Sequence, residues 1–338
     1  MEELSMNKPI KHVEEMLTKI LSTSGASDDD VRTFVFMLCE QNYLGNKFSG
    51  FSKTQIQTVM KHLKDSAGKK SELVVDKPSM KLINGNGRSA WLIGMEMVDM
   101  VSGMATTQGI GIVGLYNTTY HDILETYTRK IAEKDLIGIV VANGGPAGVT
   151  PFGGSAPIFG TNPISYAFPS VDHPIVFDGA TAELAYGTIR LAKAKGGTLK
   201  EQTYLDADGK FTTDPMKAIA IIPFGGGYKG YAINLMIEIM TGIMVRAKSG
   251  LHVKDETDLG SLFIAMDPSA FVPIDQFKKE VSELARDIRA VKPLPGFSPI
   301  RVPGDKSSES KRTMMEEGNI YIDEAEWQEF EKLFQSIT

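Results

Sequence analysis

The stretch NGGPAGVTPFGGSAPIFGTNPISYAFPSVDHPIVFD, residues 143–178, decides how the rest of the chain is interpreted. It is crowded with Gly, Pro, Asn and Thr, and strand-like apolar runs adjoin it, GIVVA at 138–142 and PIVFD at 174–178. Glycine lets a ligand approach the main chain closely, and proline keeps the loop from collapsing. Because a long irregular loop inside a compact domain tends to be functional, we predict a ligand-binding loop here, with a set of β-turns as the alternative.

Composition limits the class of protein. The chain has 338 residues, long enough for about two domains, and its 42% hydrophobic and 23% charged residues are ordinary for a globular protein. The net charge of −6 argues against sequence-independent binding to nucleic acid and against a polybasic membrane surface. No apolar run is long enough to span a membrane, and a single cysteine, Cys39, excludes a disulfide framework. We therefore expect a cytoplasmic protein.

Several familiar site motifs are absent from the sequence. The five histidines form no HExxH pattern and no CxxC is present, so a metal site is not expected. The segments GNG at 85–87 and GIG at 109–111 do not complete GxGxxG. The sequence therefore lacks the Rossmann fingerprint that would support nucleotide binding.

Apolar periodicity predicts an α/β protein with a helical N-terminal third. Predicted helices cover residues 9–22, 27–38, 52–63, 90–108, 121–134, 182–194, 231–244 and 271–290, and a terminal helix starts at Asp323. Predicted strands cover residues 81–86, 111–115, 136–142, 174–178 and 262–266. Ser27, which three aspartates follow, is expected to cap the second helix.

A glycine-rich segment, IAIIPFGGGYKG at 219–230, combines a predicted strand with the start of a helix. Exposed backbone N–H groups at such a helix start, together with Lys229, predict an anion site. The helix that follows is nearly all apolar, so we expect it to be buried, with an interface between subunits as one possible place.

Taken together, the motifs resemble those of the NAD(P)-dependent malate/L-lactate dehydrogenase type II family. They follow the family order: TPFGG at 150–154, GTNP at 160–163, FDGAT at 177–181, DADG at 206–209 with TDP at 213–215, PFGG at 223–226 with KGY at 229–231, and PGD at 303–305. GTNP or KGY alone would be weak evidence for this resemblance. The ordered set is strong evidence, because it covers nearly the whole chain. The family includes sulfolactate, ureidoglycolate and diketogulonate enzymes and piperideine-2-carboxylate (ketimine) reductases.

The resemblance implies an α/β fold that is not a Rossmann fold, with a helical N-terminal region and a large mixed-sheet cofactor domain. It implies a helical domain from residues 1–75 and 270–338, an α/β dinucleotide-binding domain from residues 76–269, and a homodimer that completes the site. An extended NADP or NAD would lie along the α/β domain. Carried over position by position, the implied cofactor residues are Asn143, Gly160, Thr161, Asn162, Phe177, Asp178, Gly179, Lys229, Gly230, Pro303, Gly304 and Asp305.

The chain departs from the family at the acid–base residues. The family motif Ser-His-Gly corresponds to Phe48-Ser-Gly50, so Ser49 stands in the place of a histidine, and Lys53 stands in the place of an arginine. The motif Ser-x-His-Phe-Gly corresponds to residues 117–122, where alignment on a later tyrosine puts Tyr120 at the histidine and His121 one position after it. Ser49, Lys53, Tyr120 and His121 are the predicted catalytic residues, with Lys53 holding a substrate carboxylate.

These replacements favour an imine substrate over a ketone. Reduction of a 2-oxo acid needs a proton for the nascent alkoxide, and serine cannot supply it unaided near neutral pH. An iminium nitrogen can arrive already protonated, so its reduction needs no strong acid. We therefore predict an NAD(P)H-dependent reductase of a small carboxylated imine or 2-oxo acid.

Two alternatives remain open. One is a catalytically silent family member that binds a dinucleotide or metabolite as a regulatory or partner subunit. The other is a 2-hydroxy-acid dehydrogenase in which Tyr120 or His121 is the acid/base, with the pKa of Tyr120 lowered by Lys47 or Lys53. Without the resemblance, Ser49 would be interpreted as a turn residue, Tyr120 as a packed aromatic and His121 as a solvent-exposed residue at a helix start.

Overall fold

A computed structural model describes residues 5–45 and 51–337 of the chain. The helices are α1 (Ile10–Ser22), α2 (Asp28–Tyr43), α3 (Lys53–Ser66), α4 (Ala90–Gln108), α5 (Glu125–Ala132), α6 (Gly187–Lys195), α7 (Tyr228–Glu238), α8 (Ile274–Ala290), α9 (Asp305–Glu317) and α10 (Glu324–Ile337). The strands are β1 (Ser5–Pro9), β2 (Glu72–Asp76), β3 (Met80–Asn84), β4 (Ile110–Thr118), β5 (Ile137–Ala142), β6 (Ile164–Phe168), β7 (Ile175–Gly179), β8 (Tyr204–Leu205), β9 (Ala220–Ile221), β10 (Leu259–Met266) and β11 (Asn319–Asp323).

Seven strands form one mixed sheet in the order β2-β3-β4-β10-β5-β6-β7. Only β3 and β4 run parallel, and every other neighbouring pair is antiparallel. Strand β7 lies at one edge of this sheet, and β10, which comes late in the sequence, is inserted between β4 and β5. The predicted combination of helices with a large mixed sheet is confirmed.

Helix caps explain why several predicted helices begin where they do. The Ser27 hydroxyl accepts a hydrogen bond from the Asp30 N–H over 3.2 Å, and three aspartates occupy the first turn of α2. Ser52 caps α3 in the same way, through the Gln55 N–H. Helix α4 has the predicted bounds and ends at Gly109, whose φ of +81° suits glycine.

Four predicted helices begin three or more residues from their predicted starts, and one of them, predicted at 271–290, begins at Ile274. The helix predicted at 121–134 begins at Glu125, because Asp122 has a φ of +57° that no helix can contain. The helix predicted at 182–194 begins at Gly187. The apolar helix predicted at 231–244 begins earlier, at Tyr228, and becomes a π-helical turn over Ile239–Ile243.

Only one side of that last helix is buried within the chain, and burial of its other side between subunits stays a prediction. Side chains at helical spacing on its outer side are exposed: Ile233, Met236, Ile239 and Ile243. Asn234 and Glu238 face inward instead, and both are buried. The inner side of the helix is held by these polar residues together with Ile237, which is fully buried in an apolar cluster with Val141 and Leu262.

The largest hydrophobic core joins the terminal helices to one face of the sheet. It includes Phe34 and Phe330 from the helices and Val113, Val140 and Phe263 from the strands. Both ends of the chain also meet in a two-stranded ribbon of β1 and β11, which periodicity did not predict because each strand is only five residues long. The division into the two predicted domains stays a prediction.

A second, smaller core lies under the central loop. It contains Val149 and Phe159 of that loop with Tyr204 and Ile221 from the β8–β9 pair. Isolated bridges join Val149 to Phe159 and to Ile221, so the loop is anchored at its middle. In the described part of the chain, no helix is long and apolar enough to cross a membrane.

Candidate active site

Four buried polar side chains hold the central loop against α7, and we call them the amide network: Asn143, Asn162, Asn234 and Glu238. The Asn162 amide donates to the Asn234 side-chain oxygen over 2.9 Å and to the Glu238 carboxylate over 2.6 Å. Asn143 donates to the same carboxylate at 3.5 Å. The Gly250 N–H donates to it over 2.6 Å. Each half of the loop is thereby tied to one helix.

The two ends of the loop cross at glycines. A Cβ added at Gly144 would lie 2.3 Å from the Asn162 nitrogen, and one added at Gly160 would lie 2.7 Å from the Gly145 oxygen. The Asn162 backbone has a φ of +37°, and its side-chain oxygen accepts from the Gly144 N–H over 2.9 Å. Only glycine permits this approach of two backbones, which explains the glycine content that drew attention in the sequence.

The predicted residues Phe177, Asp178 and Gly179 lie on the edge strand β7. The Asp178 carboxylate accepts a hydrogen bond from the Glu125 N–H over 2.8 Å and so caps α5 from another part of the chain. Burial raises the pKa of Asp178 to about 7, against the opposing effect of the backbone N–H groups of Glu125 and Leu124. Within the described structure, Asp178 serves the α5 N-terminus.

The turn at Pro303, Gly304 and Asp305 packs on the same edge strand. The Pro303 oxygen accepts a hydrogen bond from the Val176 N–H over 3.1 Å. The Asp305 carboxylate accepts two hydrogen bonds from the Arg289 guanidinium, at 2.6 and 2.9 Å, which hold the pKa of that carboxyl well below its usual range. Asp305 is thus already paired, and a cofactor would meet the turn through its backbone or its surface.

The glycine turn before α7 is the part of the molecule that fits a phosphate. Gly225 and Gly226 have φ values of +68° and +62°, and a Cβ added at Gly225 would meet no described atom within 4 Å. Gly227 offers no capping side chain to the first N–H groups of α7, and Lys229 is exposed. The Glu183 carboxylate accepts from the Gly225 N–H over 2.8 Å and the Pro223 oxygen accepts from the Gly226 N–H over 2.9 Å, so two donors of this turn are used. The remaining N–H groups and Lys229 suit a pyrophosphate.

Hydrogen bonds and helix geometry link several of the predicted cofactor residues, of which Asn143, Gly160, Asn162 and Gly230 are buried. Thr181, which follows β7, donates its hydroxyl to the Asn162 oxygen over 2.8 Å, so the edge strand leads into the loop crossing. Gly230 lies one turn before Asn234 on α7, so the glycine turn adjoins the amide network. Gly230 itself is required by packing, since a Cβ there would lie 2.0 Å from the Phe224 oxygen.

The predicted catalytic residues are not all brought together. Ser49 and Lys47 lie outside the described residues. Lys53 begins α3, where its backbone N–H donates to Glu329 at 3.4 Å, and no described contact joins its side chain to Tyr120. Its role as an anchor for the substrate carboxylate stays a prediction.

Tyr120 lies directly beside the central loop. A Cβ added at Gly145 would be 2.5 Å from the Tyr120 hydroxyl oxygen, so the phenol rests on the loop backbone. Burial and the charge of Glu256 raise the pKa of Tyr120, and Arg190 opposes them. Lys53 is not among the groups that act on this pKa, and Lys47 lies outside the described residues, so a lowering by Lys47 stays a prediction. A neutral phenol at this place is a proton donor.

His121 does not face the solvent, contrary to the interpretation as an exposed residue at a helix start. It is buried, its Nε2 lies 2.8 Å from the Ser261 hydroxyl, and its ring packs edge-on against Tyr127 and close to Phe263. Burial lowers the pKa of His121 to about 3. An imidazole that stays neutral across the physiological range and is closed off from solvent is poorly suited to exchange protons with a substrate.

The structure adds four residues to the site that pattern reasoning missed: His62, Asp122, Arg190 and Glu256. His62 Nε2 lies 2.6 Å from the Glu256 carboxylate, which joins α3 to the turn before β10. These two residues line a cavity of about 350 Å³ together with Thr119, next to Tyr120 in the sequence. Asp122 and Arg190 lie close enough to affect the pKa of Tyr120. Among the described residues, no group of three His, Cys, Asp or Glu side chains is placed to hold a metal ion.

Comparison with known proteins identifies the family. The sequence profile of the malate/L-lactate dehydrogenase family matches residues 9–331. The chain belongs to this family. The predicted family, fold class and enzyme class, a nicotinamide-dependent oxidoreductase, are therefore confirmed.

Individual relatives of this malate/L-lactate dehydrogenase family member differ in substrate. The chain is 31% identical over 314 residues to the malate/(S)-sulfolactate dehydrogenase of Methanothermus fervidus, covering 90% of each chain. It is 33% identical over 251 residues to the Δ1-pyrroline-2-carboxylate/Δ1-piperideine-2-carboxylate reductase of Pseudomonas putida, covering 70% of this chain and 69% of that one. The structure of sulfolactate dehydrogenase from Methanocaldococcus jannaschii superposes with a TM-score of 0.85 at 29% identity, covering 98% and 97% of the two chains.

The residues that were missed carried a weak signal in the sequence. His62 and Glu256 are separated by 194 positions, and neither belongs to a motif of the malate/L-lactate dehydrogenase family quoted above. Asp122 ends the segment that corresponds to one such motif, but the motif drew attention to the two residues before it. The only sequence signal for Asp122 was its position directly after His121, which itself stands one position after the place of the family histidine.

Proposed function

We propose that the protein is an NAD(P)H-dependent reductase that transfers hydride to a small carboxylated imine or 2-oxo acid. The observation that carries this proposal is the contact of the Tyr120 phenol with the Gly145 backbone, because it joins a proton donor to the loop that leads into the predicted cofactor surface. When bound, the reduced nicotinamide supplies the hydride. The chain's own residues then have to bind the substrate, orient it and manage one proton.

The residues available for the cofactor fit its chemistry. The open glycine turn before α7 and Lys229 would hold the pyrophosphate, and the edge strand β7 with the turn at Pro303 would hold the rest of an extended dinucleotide. The amide network holds the intervening loop in place through buried side chains, so these hydrogen bonds do not occupy the exposed face of the loop. Both NAD and NADP are compatible with this arrangement.

The residues available for the proton favour an imine substrate. His121 is buried, His62, which lines the cavity next to Thr119, is paired with Glu256, and a phenol is a weaker acid than an imidazolium. A protonated imine needs no added proton before hydride transfer, whereas a ketone must receive one at its oxygen. The resemblance to the Pseudomonas putida reductase, which is named for two cyclic imines, supports the same substrate class.

Arg190 is a second candidate for the group that holds the substrate carboxylate. It is exposed on α6, and its charge affects both Tyr120 and Asp122. A guanidinium binds a carboxylate through two parallel hydrogen bonds, which a lysine cannot do. Lys53 is the predicted alternative, and replacement of each residue by alanine distinguishes them through the KM for the substrate.

Cofactor binding is tested first, by thermal shift with NAD+, NADP+, NADH and NADPH. We expect one reduced dinucleotide to raise the Tm and Lys229→Ala to weaken its binding about tenfold, while Lys217→Ala, at another exposed lysine, leaves it unchanged. Turnover is then followed with Δ1-piperideine-2-carboxylate and with pyruvate. Failure of all four dinucleotides to bind would refute the proposal.

A catalytically silent protein is the second candidate, and the burial of His121 together with the replacement of the other family histidine favours it. Such a protein would bind the dinucleotide and show no turnover with either substrate. Steady turnover excludes it, whereas binding without turnover, followed by activity in Ser49→His, would support it.

We also propose a homodimer. The exposed apolar side chains of α7 and the following π-helical turn form one apolar surface: Ile233, Met236, Ile239 and Ile243. Contact of such a surface with water is unfavourable. A second copy of the chain is the proposed partner, as the family resemblance implies. Light scattering on the wild type and on Ile239→Lys tests it: we expect a dimer for the first and a shift toward monomer for the second. A cytoplasmic location stays a prediction.

A further inference from the structure

We propose that Arg129 is a positioning residue for dinucleotide binding: through Ser307 it fixes the turn at residues 303–305 relative to the edge strand β7. This inference rests on the proposed function, because both segments belong to the predicted cofactor residues. It assigns a part in binding to two residues that lie outside every family motif quoted above.

Arg129 is a buried arginine on α5, and its guanidinium contacts three groups. Its Nε donates to the Glu125 carboxylate over 2.7 Å, and its Nη2 lies 2.6 Å from the same carboxylate. Nη2 also donates to the Ser307 hydroxyl oxygen over 2.8 Å and to the Gly304 backbone oxygen at 3.4 Å. One side chain of α5 is thereby bonded both to the predicted cofactor turn and to the first turn of α9.

Glu125, the first residue of α5, connects Arg129 to the edge strand. Its carboxylate accepts a hydrogen bond from the Ser307 hydroxyl over 2.6 Å, which closes a triangle of hydrogen bonds with Arg129. Its backbone N–H donates to the Asp178 carboxylate on β7 over 2.8 Å. The first turn of α5 is therefore bonded on one side to β7 and on the other to α9, so it joins the two segments in which cofactor residues are predicted.

The ion pair in this triangle is buried, since the side chains of Arg129 and Glu125 are 7% and 13% exposed. Taking two charges out of water costs about as much as their attraction returns, so apolar side chains of similar volume would stabilise the fold as well. An apolar pair cannot supply direction, whereas a planar guanidinium fixes its partners through hydrogen bonds of set geometry. Placement of the turn therefore explains this pair better than stability does.

The backbone of the turn touches β7 directly and provides a first point of attachment. The Val176 N–H donates to the Pro303 oxygen over 3.1 Å, and a Cβ added at Gly304 would lie 2.8 Å from the Val176 nitrogen. These contacts set the distance between the turn and the strand. The bond from Arg129 to Ser307 is a second point of attachment, and two points prevent α9 and its turn from pivoting on the strand.

Fixing both segments before the cofactor arrives lowers the cost of binding it. An extended dinucleotide that touches β7 and the turn has to find them at one separation, and any ordering that binding must impose weakens the affinity. Loss of the link between Arg129 and Ser307 should therefore weaken dinucleotide binding. It should not change the proton transfer, because Tyr120 rests on the central loop and not on this turn.

The test measures the Kd of NADH and of NADPH by nicotinamide fluorescence for the wild type, Ser307→Ala and Arg129→Lys. Alanine removes only the Ser307 hydroxyl. Lysine keeps the positive charge beside Glu125 but lacks the planar fork that reaches Glu125 and Ser307 together. For the reduced dinucleotide that the wild type binds, we expect each variant to raise the Kd about fivefold, on the order of one lost hydrogen bond. The double variant should bind no more weakly than Arg129→Lys, because both substitutions remove the same link.

Ser308→Ala is the matched control. Ser308 is the next residue of α9, and its buried hydroxyl has no hydrogen-bond partner among the described residues, so its loss should leave the Kd unchanged. Kinetics with Δ1-piperideine-2-carboxylate give a second measurement. Ser307→Ala should raise the KM for the dinucleotide in step with the Kd and leave kcat at saturating dinucleotide unchanged. A merely structural network would lower the midpoint of urea unfolding and move neither the Kd nor this KM.

The outcomes separate this inference from the function on which it rests. If the wild type binds neither NADH nor NADPH, both are wrong. If the wild type binds one of them and folded Ser307→Ala binds it within twofold of the wild type, only this inference is overturned. Equal weakening by Ser308→Ala, or additive effects in the double variant, would overturn it as well. Should Arg129→Lys fail to fold, the Kd of Ser307→Ala against that of Ser308→Ala decides.

Discussion

The side-chain amide of Asn162 donates to the buried carboxylate of Glu238 over 2.6 Å. Two further donors reach the same carboxylate, the Asn143 amide and the Gly250 N–H. No lysine or arginine pairs with Glu238 in the described part of the chain, so its charge is balanced by dipoles alone. Since Asn162 belongs to the GTNP motif, which directly precedes strand β6, this bond fixes the loop that carries several of the predicted cofactor residues.

Asn162→Asp should therefore destabilise the fold strongly. It replaces a donor with a second carboxylate beside Glu238, and we expect the free energy of unfolding to fall by about 3 kcal/mol at pH 7.5. The two carboxyls would share a proton, which raises one pKa in the folded state, so the loss should shrink as the pH falls to 5. Urea denaturation at both pH values measures it.

The control is Asn86→Asp, at another asparagine with positive φ (+52°), whose amide donates to the exposed Lys70 oxygen. It should change the free energy of unfolding by no more than about 0.5 kcal/mol. If both substitutions lowered the free energy of unfolding equally, the amide network would contribute no more to stability than an exposed asparagine does.

Gly230→Ala tests the packing of α7 on the glycine turn. The added Cβ would lie 2.0 Å from the Phe224 oxygen, a backbone atom, so the turn has to move. We expect a loss of about 2–4 kcal/mol in the free energy of unfolding and weaker binding of the dinucleotide. Gly103→Ala is the control: a Cβ there meets no described atom within 4 Å, so this exposed site on α4 should gain about 0.5–1 kcal/mol.

Local sequence signals predicted the parts of the fold that local physics controls. Ser27 and Ser52 begin helices because their hydroxyls can satisfy free N–H groups, and Gly109 ends one because it accepts a positive φ. The ordered motifs led to the family, which periodicity alone could not indicate. What these signals share is that a few adjacent residues carry them.

The parts that were missed depend on contacts between distant residues. Helix α5 starts at Glu125 because Asp178, 53 residues later, caps it. The ribbon of β1 and β11 joins the two ends of the chain. The pair of His62 and Glu256 joins residues 194 positions apart. Sequence patterns within one segment carry no information about such partners. The missed residues of the candidate site could therefore be identified only from the fold.

Asp305→Asn should lower stability in a pH-dependent way. Asp305 has a pKa well below its usual range because Arg289 donates two hydrogen bonds to it. A carboxyl with a lowered folded pKa contributes stability above its unfolded pKa of about 3.9, and this contribution is lost as the pH falls further. Because Arg289 is 35% exposed, solvent screening reduces the expected loss to about 1 kcal/mol at pH 7.

Urea denaturation of wild type and Asp305→Asn at pH 7, 5 and 3 measures this difference, which should persist at pH 5 and shrink at pH 3. The comparison variant is Asp65→Asn, whose pair with Lys61 is exposed and should contribute less than about 0.5 kcal/mol. A difference that stays constant down to pH 3 would contradict the assigned ion pair.

His121→Gln tests whether this histidine is structural or catalytic. Burial lowers the folded pKa of His121 to about 3, against about 6.5 in the unfolded chain. Below pH 6.5 the unfolded chain binds a proton that the folded protein excludes, so stability falls with pH by up to about 1.4 kcal/mol per unit. Glutamine does not titrate, and its amide can still reach the Ser261 hydroxyl, which lies 2.8 Å from the imidazole Nε2. The variant should therefore lose less stability than the wild type between pH 7.5 and 5.

His12→Gln is the control, because His12 is exposed on α1 and its replacement should leave the pH slope unchanged. Imine reduction at pH 7.5 by His121→Gln, corrected for the folded fraction, should remain within about twofold of the wild type, since a buried imidazole that stays neutral has no proton to give. A large loss of kcat in a variant that is fully folded and binds the dinucleotide normally would instead return His121 to the acid–base role. The unchanged slope of His12→Gln would show that any effect of His121→Gln on stability arises from burial of the ring rather than from loss of a histidine as such.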